Sequence, residues 1–86
     1  MSTIKETLTE RGEKYGAFKD NSEIAQRLKG VLNDWDGELS YSQKEAIEVI
    51  FQKISRILTG DPDYIDNWHD IQGYAKLIED ELTNKS

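Results

Sequence analysis

The sequence predicts an all-α fold, a small bundle of about four helices, and three observations lead to this prediction. Several segments place apolar residues every three or four positions, which is the spacing of an amphipathic helix. No segment alternates apolar and polar residues as a half-exposed strand would. Residues that favour helix starts precede two of the periodic segments, and glycine follows both. The 86 residues are therefore expected to form one helical domain, 1–86, in which 83–86 frays.

A first short helix is predicted from Ile4 to Gly12. Thr3 and Glu6 have the spacing of a capping box, in which two residues exchange side-chain-to-backbone hydrogen bonds at the helix start. Two glycines four residues apart follow, so segment 11–18 is predicted to be a turn or irregular.

The second helix is predicted from Asp20 to Trp35. Asp20 is a suitable N-cap because Glu23 follows three residues later, and Asp36-Gly37 is expected to end the helix. The apolar stripe of this helix consists of Ile24, Leu28, Val31 and Leu32.

The third helix has the clearest boundaries. Ser40 and Gln43 have capping-box spacing, and the segment is expected to run to Leu58 before Gly60 stops it. The face predicted to be core consists of Ile47, Ile50, Ile54 and Ile57.

The fourth helix is predicted from 67 to 82 and is expected to pair antiparallel with the third. Its cap is either Asp66 or, with a single turn preceding the main helix, Asp61 before Pro62. Glycine inside a helix costs about 1 kcal/mol relative to alanine, so we expect another helix to approach closely at Gly73.

Size and composition narrow the classes of function. A chain this short buries only about 60–65% of its unfolded surface, so a thin core and a homo-oligomer are expected. The net charge of −6 disfavours direct nucleic-acid binding, and the absence of cysteine excludes disulfides, thiolate metal sites and thiol nucleophiles. No apolar run reaches the ~20 residues that cross a bilayer, and no signal pattern begins the chain. We therefore expect a cytoplasmic protein without a membrane partner.

Five short patterns run along the chain. They are Arg11-Gly12 with Tyr15-Gly16 and Phe18; Lys44-Glu45-Ala46-Ile47-Glu48; Lys53-Ile54 with Arg56-Ile57-Leu58; Gly60-Asp61-Pro62-Asp63-Tyr64; and Trp68-His69-Asp70-Ile71 with Gly73-Tyr74. Together they resemble a family of short phage and prophage proteins that lacks an assigned biochemical function. The resemblance implies a phage or prophage origin and the cytoplasm of a bacterial host.

A second resemblance rests on acidic residues. Glu45 and Glu48 have Glu-x-x-Glu spacing, and Asp70 follows Asp66 by four residues, with Asn67 at the third position before it. This set is similar to the magnesium ligands of MazG-type all-α NTP pyrophosphohydrolases, which are Glu-x-x-Glu and Glu-x-x-Asp. The resemblance implies nucleotide handling, with Mg²⁺ as the candidate cofactor of Glu45, Glu48, Asp66 and Asp70.

The same acids have a structural interpretation. In a tight antiparallel pair of helices three and four, Asp66 and Asp70 lie nearer Lys53 and Arg56 than the two glutamates, so ordinary ion pairs are the alternative to a metal site. For Glu45 and Glu48 the alternative is a solvated helix face.

Basic and aromatic residues are the candidates for binding an anionic ligand. Guanidinium groups match phosphate oxygens bidentately, and an aromatic ring offers a stacking surface for a base. The alternative for the aromatic residues is a place in the core or in a subunit interface. The candidate ligand-binding residues are Arg11, Tyr15, Lys53, Arg56, Trp68 and Tyr74.

Two functions from different classes remain open. One is the binding of a nucleotide or a nucleotide-derived anionic small molecule, with or without Mg²⁺ and with or without hydrolysis. The other is a noncatalytic interaction module that engages a host protein during phage growth. They differ in whether the polar candidates converge in a cleft or spread over a flat face.

Overall fold

The computed structural model describes residues 3–35 and 37–84, and these residues form four α-helices. The predicted all-α class is confirmed, and no β-strand occurs in this part of the chain. The helices are α1 (Ile4–Tyr15), α2 (Phe18–Trp35), α3 (Tyr41–Thr59) and α4 (Ile65–Thr83).

The start of α1 agrees with the prediction and its end does not. Thr3 Oγ1 accepts a hydrogen bond from the Glu6 N–H at 3.1 Å, and Glu6 Oε2 accepts one from the Thr3 N–H at 3.2 Å. The helix then continues through Gly12 to Tyr15, so the predicted end at Gly12 is wrong. A helical glycine costs about 1 kcal/mol, which is too little to end a helix that packs elsewhere.

The break between α1 and α2 is limited to Gly16 and Ala17 rather than the whole of segment 11–18. Gly16 has a φ of 83°, which residues with a side chain rarely adopt. The second glycine of the segment therefore makes the turn, and the first is simply helical.

α2 begins at Phe18, two residues before the predicted cap Asp20, so that assignment is wrong. The N–H groups of Asp20 and Asn21 both donate to the Ala17 carbonyl at 3.0 Å. Asp20 lies instead in the first turn, where the positive end of the helix dipole favours a carboxylate. Of the predicted stop signal, Asp36 lies outside the described residues.

α3 begins with the predicted capping box. Ser40 Oγ accepts from the Gln43 N–H at 3.1 Å, and Gln43 Oε1 accepts from the Ser40 N–H at 2.9 Å. The helix ends at Thr59, one residue beyond the prediction, and Gly60 follows as expected.

α4 begins two residues earlier than predicted, and neither expected aspartate caps it. Tyr64 occupies the cap position, but its side chain accepts no hydrogen bond from a backbone N–H of the first turn, and Asp66 lies within that turn. Asp61 Oδ1 accepts from the Asp63 N–H at 2.9 Å and so shapes the turn before the helix. The helix ends at Thr83, and residues 85–86 of the expected frayed tail lie outside the described chain.

α3 is the centre of the molecule. It packs against α2 on one side and α4 on the other, whereas no Cα atom of α2 lies within 8 Å of one of α4 in the described residues. Lys53 pairs with Asp70, whereas earlier residues of α3 (43–50) line a groove with later residues of α4 (74–78), so α3 and α4 run antiparallel as predicted. The four helices therefore form an open layer around α3 rather than a closed bundle.

The core of this layer is thin. The buried apolar side chains of the described chain are Ala25, Leu32 and Ala46. The four isoleucines of the predicted core face on α3 are only half-buried. None of the described helices combines the length and the apolarity needed to span a membrane.

The expectation that Gly73 is a packing glycine is wrong. A Cβ atom added there would meet nothing within 4 Å, and the residue is exposed. Close backbone approach occurs instead at Gly16 and Gly60.

Candidate functional site

The ends of α1 and α3 cross in direct backbone contact. A Cβ atom on Gly16 would overlap the carbonyl group of Thr59, and one on Gly60 would overlap the backbone of Lys14 and Tyr15. Both positions must therefore be glycine for the two chain segments to approach this closely.

Hydrogen bonds fix this crossing. The Thr59 hydroxyl donates to the Tyr15 carbonyl at 2.8 Å, and Asn21 Nδ2 donates to the same oxygen at 3.3 Å. The Asp61 N–H donates to the Lys14 carbonyl at 3.0 Å. These bonds satisfy carbonyls that the end of α1 would otherwise leave without partners, and they hold Tyr15 beside α3.

The crossing brings together two arginines and two tyrosines, here called the cationic–aromatic cluster: Arg11, Tyr15, Arg56 and Tyr64. The guanidinium carbons of Arg11 and Arg56 lie 5.3 and 4.7 Å from the centre of the Tyr15 ring. Tyr64 meets Tyr15 edge to face, with ring centres 5.7 Å apart. Cation–π attraction thus draws both arginines to one ring.

The two arginines of the cluster lack carboxylate partners. Within residues 3–35 and 37–84, neither Arg11 nor Arg56 forms an ion pair, although the chain carries 17 acidic residues. By contrast, Lys14, whose Nζ lies 5.5 Å from the centre of the Tyr64 ring, pairs with Glu10 at 3.1 Å, and Arg27 pairs with Glu23 at 3.6 Å. Two adjacent unpaired guanidinium groups are a local positive site on an acidic protein.

A cleft of about 350 Å³ opens beside the cluster. This volume is at the small end of the ~300–1,000 Å³ that ligand pockets occupy. The first residue of α2, Phe18, forms part of its wall. The N–H groups of Asp20 and Asn21 already donate to the Ala17 carbonyl, which leaves those of Phe18 and Lys19 at this end of the helix. The cleft is lined by Leu8, Arg11, Gly12, Tyr15, Gly16, Ala17, Phe18, Asn21 and Arg56.

Lys53 lies outside this cleft in an ion pair. Its Nζ is 3.1 Å from Asp70 Oδ2, and only 16% of its side chain is exposed. The ion pair predicted as the structural alternative for Asp70 is thus present, and it ties the middle of α3 to α4.

Asp66 is engaged by a different partner. Its Oδ2 accepts a hydrogen bond from the Tyr64 hydroxyl at 2.8 Å. This bond to a carboxylate raises the pKa of Tyr64 to about 12, because it favours the protonated phenol. Asp66 is thereby linked to the cluster through Tyr64.

The four candidate magnesium ligands do not form one group. Glu45 is exposed and Glu48 half-buried on α3, while Asp66 and Asp70 have the separate partners described above. The described part of the chain contains no group of three or more histidine, aspartate or glutamate residues arranged to hold a metal ion.

Trp68 and Tyr74 lie away from the cleft. The indole N–H of Trp68 donates to the Pro62 carbonyl at 2.8 Å, so the ring lies against the loop before α4. Tyr74 lines a groove between α3 and α4, beside Ile47 and Ile50. Of the six predicted ligand-binding residues, the structure therefore joins Arg11, Tyr15 and Arg56.

Sequence reasoning did not include Tyr64 or Asn21 in the site. The available signal was that two glycine-containing runs, 11–18 and 60–64, each contain a tyrosine. Because the two glycine turns cross in backbone contact, the tyrosine of each run lies near that of the other, and Tyr64 therefore contacts Tyr15.

Comparison with known proteins places the chain in a family. Residues 1–82 match the model of a family described as a domain of unknown function, DUF6378, so the chain belongs to that family. No curated protein and no solved structure matches it.

Proposed function

We propose that this member of the DUF6378 family binds a nucleotide or a nucleotide-derived anionic small molecule in the cleft beside the cationic–aromatic cluster. The proposal rests on the guanidinium groups of Arg11 and Arg56, which line this cleft and form no ion pair within the described residues. The phage-protein resemblance supports a phage or prophage origin and action in the cytoplasm of a bacterial host.

In this proposal the arginines bind the phosphate. A guanidinium group donates two parallel hydrogen bonds to phosphate oxygens, and the start of α2 adds the N–H groups of Phe18 and Lys19 and the positive end of a helix dipole. Tyr15 already holds two guanidinium groups, so its role is to orient them. Phe18 is 80% exposed at the wall of the cleft and offers the stacking surface for a base.

Mg²⁺ is proposed to enter with the phosphates rather than to occupy a preformed carboxylate cage. Mg²⁺ typically takes one or two carboxylates and completes its octahedron with water and phosphate oxygens. Among the four candidate acids, Asp66 is the one linked to the cluster, through Tyr64. No residue is assigned a catalytic role.

A thermal-shift panel of nucleotides and cyclic nucleotides, with and without Mg²⁺, tests the proposal. A ligand present at 100 times its dissociation constant stabilises the folded state by about 2.7 kcal/mol, which raises the melting temperature measurably. We expect at least one anionic nucleotide to do so and the corresponding uncharged nucleoside to have little effect.

Calorimetric titration of variants then locates the site. Arg56→Gln and Arg11→Gln should each weaken binding of the best nucleotide by tenfold or more. The matched control is Arg27→Gln, which removes an exposed arginine of α2 that pairs with Glu23 outside the cleft. A panel without any shift, or equal affinities for Arg56→Gln and wild type, would overturn the proposal.

The second candidate function is the interaction module that engages a host protein. It is favoured by large apolar side chains that remain exposed, among them Trp35 at 85% and Tyr41 at 95%. Its test is a host protein that binds purified wild type and not a Trp35→Asp variant. If the nucleotide panel is flat and such a protein binds, the interaction function replaces the nucleotide proposal.

A further inference from the structure

A groove without charged residues lies between α3 and α4. Its volume is about 330 Å³, and its wall contains no lysine, arginine, aspartate or glutamate, although 33% of the chain is charged. The lining residues are Leu39, Gln43, Ala46, Ile47, Ile50, Tyr74, Ala75 and Ile78. We call this surface the neutral groove.

The chain exposes more surface than a compact monomer of its mass. Its accessible area is 6681 Å², whereas a folded monomer of 9.9 kDa is expected to expose about 5,200 Å². Its radius of gyration is 15.0 Å, against about 12 Å expected for a compact domain of this length. The excess area is about 1,500 Å².

We infer that the protein is a permanent homodimer whose subunits meet at the neutral groove. A standard interface buries about 800 Å² on each partner, and permanent dimers bury more, so an excess of about 1,500 Å² per chain matches a permanent interface. The groove also suits this role electrostatically, because two chains of net charge −6 can meet there without bringing like charges into contact and without desolvating a charged side chain.

The surface that covers the groove is a second copy of the chain rather than a different protein, because the fold of each chain itself requires additional buried apolar surface. With three buried apolar side chains in the described residues, the core of one chain is too small to do without a partner. A second copy is always available at the same concentration as the first. Placed groove to groove, α3 and α4 of two subunits surround one apolar axis and complete the bundle that α2 and α4 leave open.

The mass of the wild-type protein is the first test, by light scattering and sedimentation equilibrium from 1 to 100 µM. The expected result is twice the chain mass of 9.9 kDa across this range. A monomer with full helical circular dichroism at 100 µM would overturn the inference, and the groove would then be free for another protein.

Two variants locate the interface. Ala75 is exposed in the single chain and lines the neutral groove, so Ala75→Glu should leave the helices intact and increase the dimer dissociation constant at least 100-fold. Gln26→Glu on α2 adds the same charge outside the groove and should remain dimeric. Equal dimerisation of the two variants would overturn the assignment of the interface to the groove.

A cross-linking experiment covers the case in which Ala75→Glu does not fold. The chain has no cysteine, so Ala75→Cys and Gln26→Cys each introduce a single thiol. Oxidation by diamide should convert most of the Ala75→Cys protein, at micromolar concentration, into a disulfide-linked dimer and leave the Gln26→Cys protein largely monomeric on a denaturing gel. The same slow reaction for both would overturn the proposed contact.

Discussion

Tyr15 shows how one side chain can organise a site without binding the ligand itself. Its carbonyl is held by Thr59 and Asn21, while its ring attracts the guanidinium groups of Arg11 and Arg56. Each cation–π contact contributes about 0.5–1 kcal/mol at an exposed site, which is enough to bias the rotamers of two long side chains. The arginines are therefore oriented before any anion arrives.

Tyr64 and Asp66 provide a prediction at the residue scale. The hydrogen bond to Asp66 raises the folded-state pKa of Tyr64 to about 12, above the ordinary value of 10.0. The bond therefore stabilises the fold fully below pH 10, and this contribution is lost as the pH rises from 10 through 12. Asp66→Asn should lower the Tyr64 pKa toward 10, as followed by ¹³C NMR of the tyrosine Cζ.

Asp63→Asn is the control, since it removes the carboxylate of a neighbouring exposed residue that does not bond Tyr64. A Tyr64 pKa that moves equally in both variants would show that general negative charge, rather than the hydrogen bond, is responsible.

Asn67 shows what residue patterns cannot reveal. Sequence periodicity predicted it as the start of the fourth helix, but it is 1% exposed, and its Nδ2 has no hydrogen-bond partner among the described residues. Burying an unpartnered amide costs about 1–3 kcal/mol. The polarity of asparagine therefore predicts an exposed position, and only the packing of the helices places it in the core.

At the scale of the elements, the sequence predicted correctly the two helix starts that have capping boxes, whereas it misplaced the starts of α2 and α4 by two residues and the end of α1 by three. The capping boxes at Thr3 and Ser40 depend on residues three apart, and both are present as predicted. The choice between Gly12 and Gly16 as the end of α1 depends on Thr59, which lies far along the chain. Sequence spacing cannot contain that information, because the contact exists only after α1 and α3 have docked.

Gly12 inside α1 and Gly16 directly after it give a prediction with a built-in control. Gly12→Ala should raise the free energy of unfolding by up to about 1 kcal/mol, because a Cβ there meets nothing and alanine favours the helix. Gly16→Ala should lower it by about 2 kcal/mol or more, because of both the φ of 83° and the overlap with Thr59. Urea denaturation of both variants measures the difference.

Gly12→Ala and Gly16→Ala should also differ from each other in their affinity for a ligand of the cleft, which both glycines line. Gly16→Ala displaces the backbone that holds Tyr15, so affinity should fall with stability, whereas Gly12→Ala tests whether the cleft wall tolerates a methyl group. Equal stabilities for the two proteins would contradict the close crossing of α1 and α3.

The site was partly predictable at the scale of the whole molecule. Arg11 and Tyr15 lie on α1 and Arg56 lies on α3, yet their chemistry singled them out, and the structure joins them. Lys53 has the same charge but faces α4, where it pairs with Asp70. Which neighbour a basic residue of α3 faces depends on how α3 is rotated about its axis. Periodicity separates the apolar side of α3 from its polar side, but it does not tell which polar residues face the cleft and which face α4.

The open layer leads to the last prediction, which concerns the order of stability among the helices. α3 packs against helices on both sides, while α1 has no buried residue and exposes Ile4 at 77% and Leu8 at 63%. Amide exchange follows local opening, which is easiest where few apolar contacts must be broken. Hydrogen exchange of the wild-type protein should therefore be fastest in the first two turns of α1 and slowest in the middle of α3.

The first turns of α4, which include buried Asn67, are the matched comparison, because they too form a helix start but pack against α3. Protection in α1 that equals protection in α4 would mean that the first turns of α1 are covered in solution, and it would place them in an interface in addition to the neutral groove.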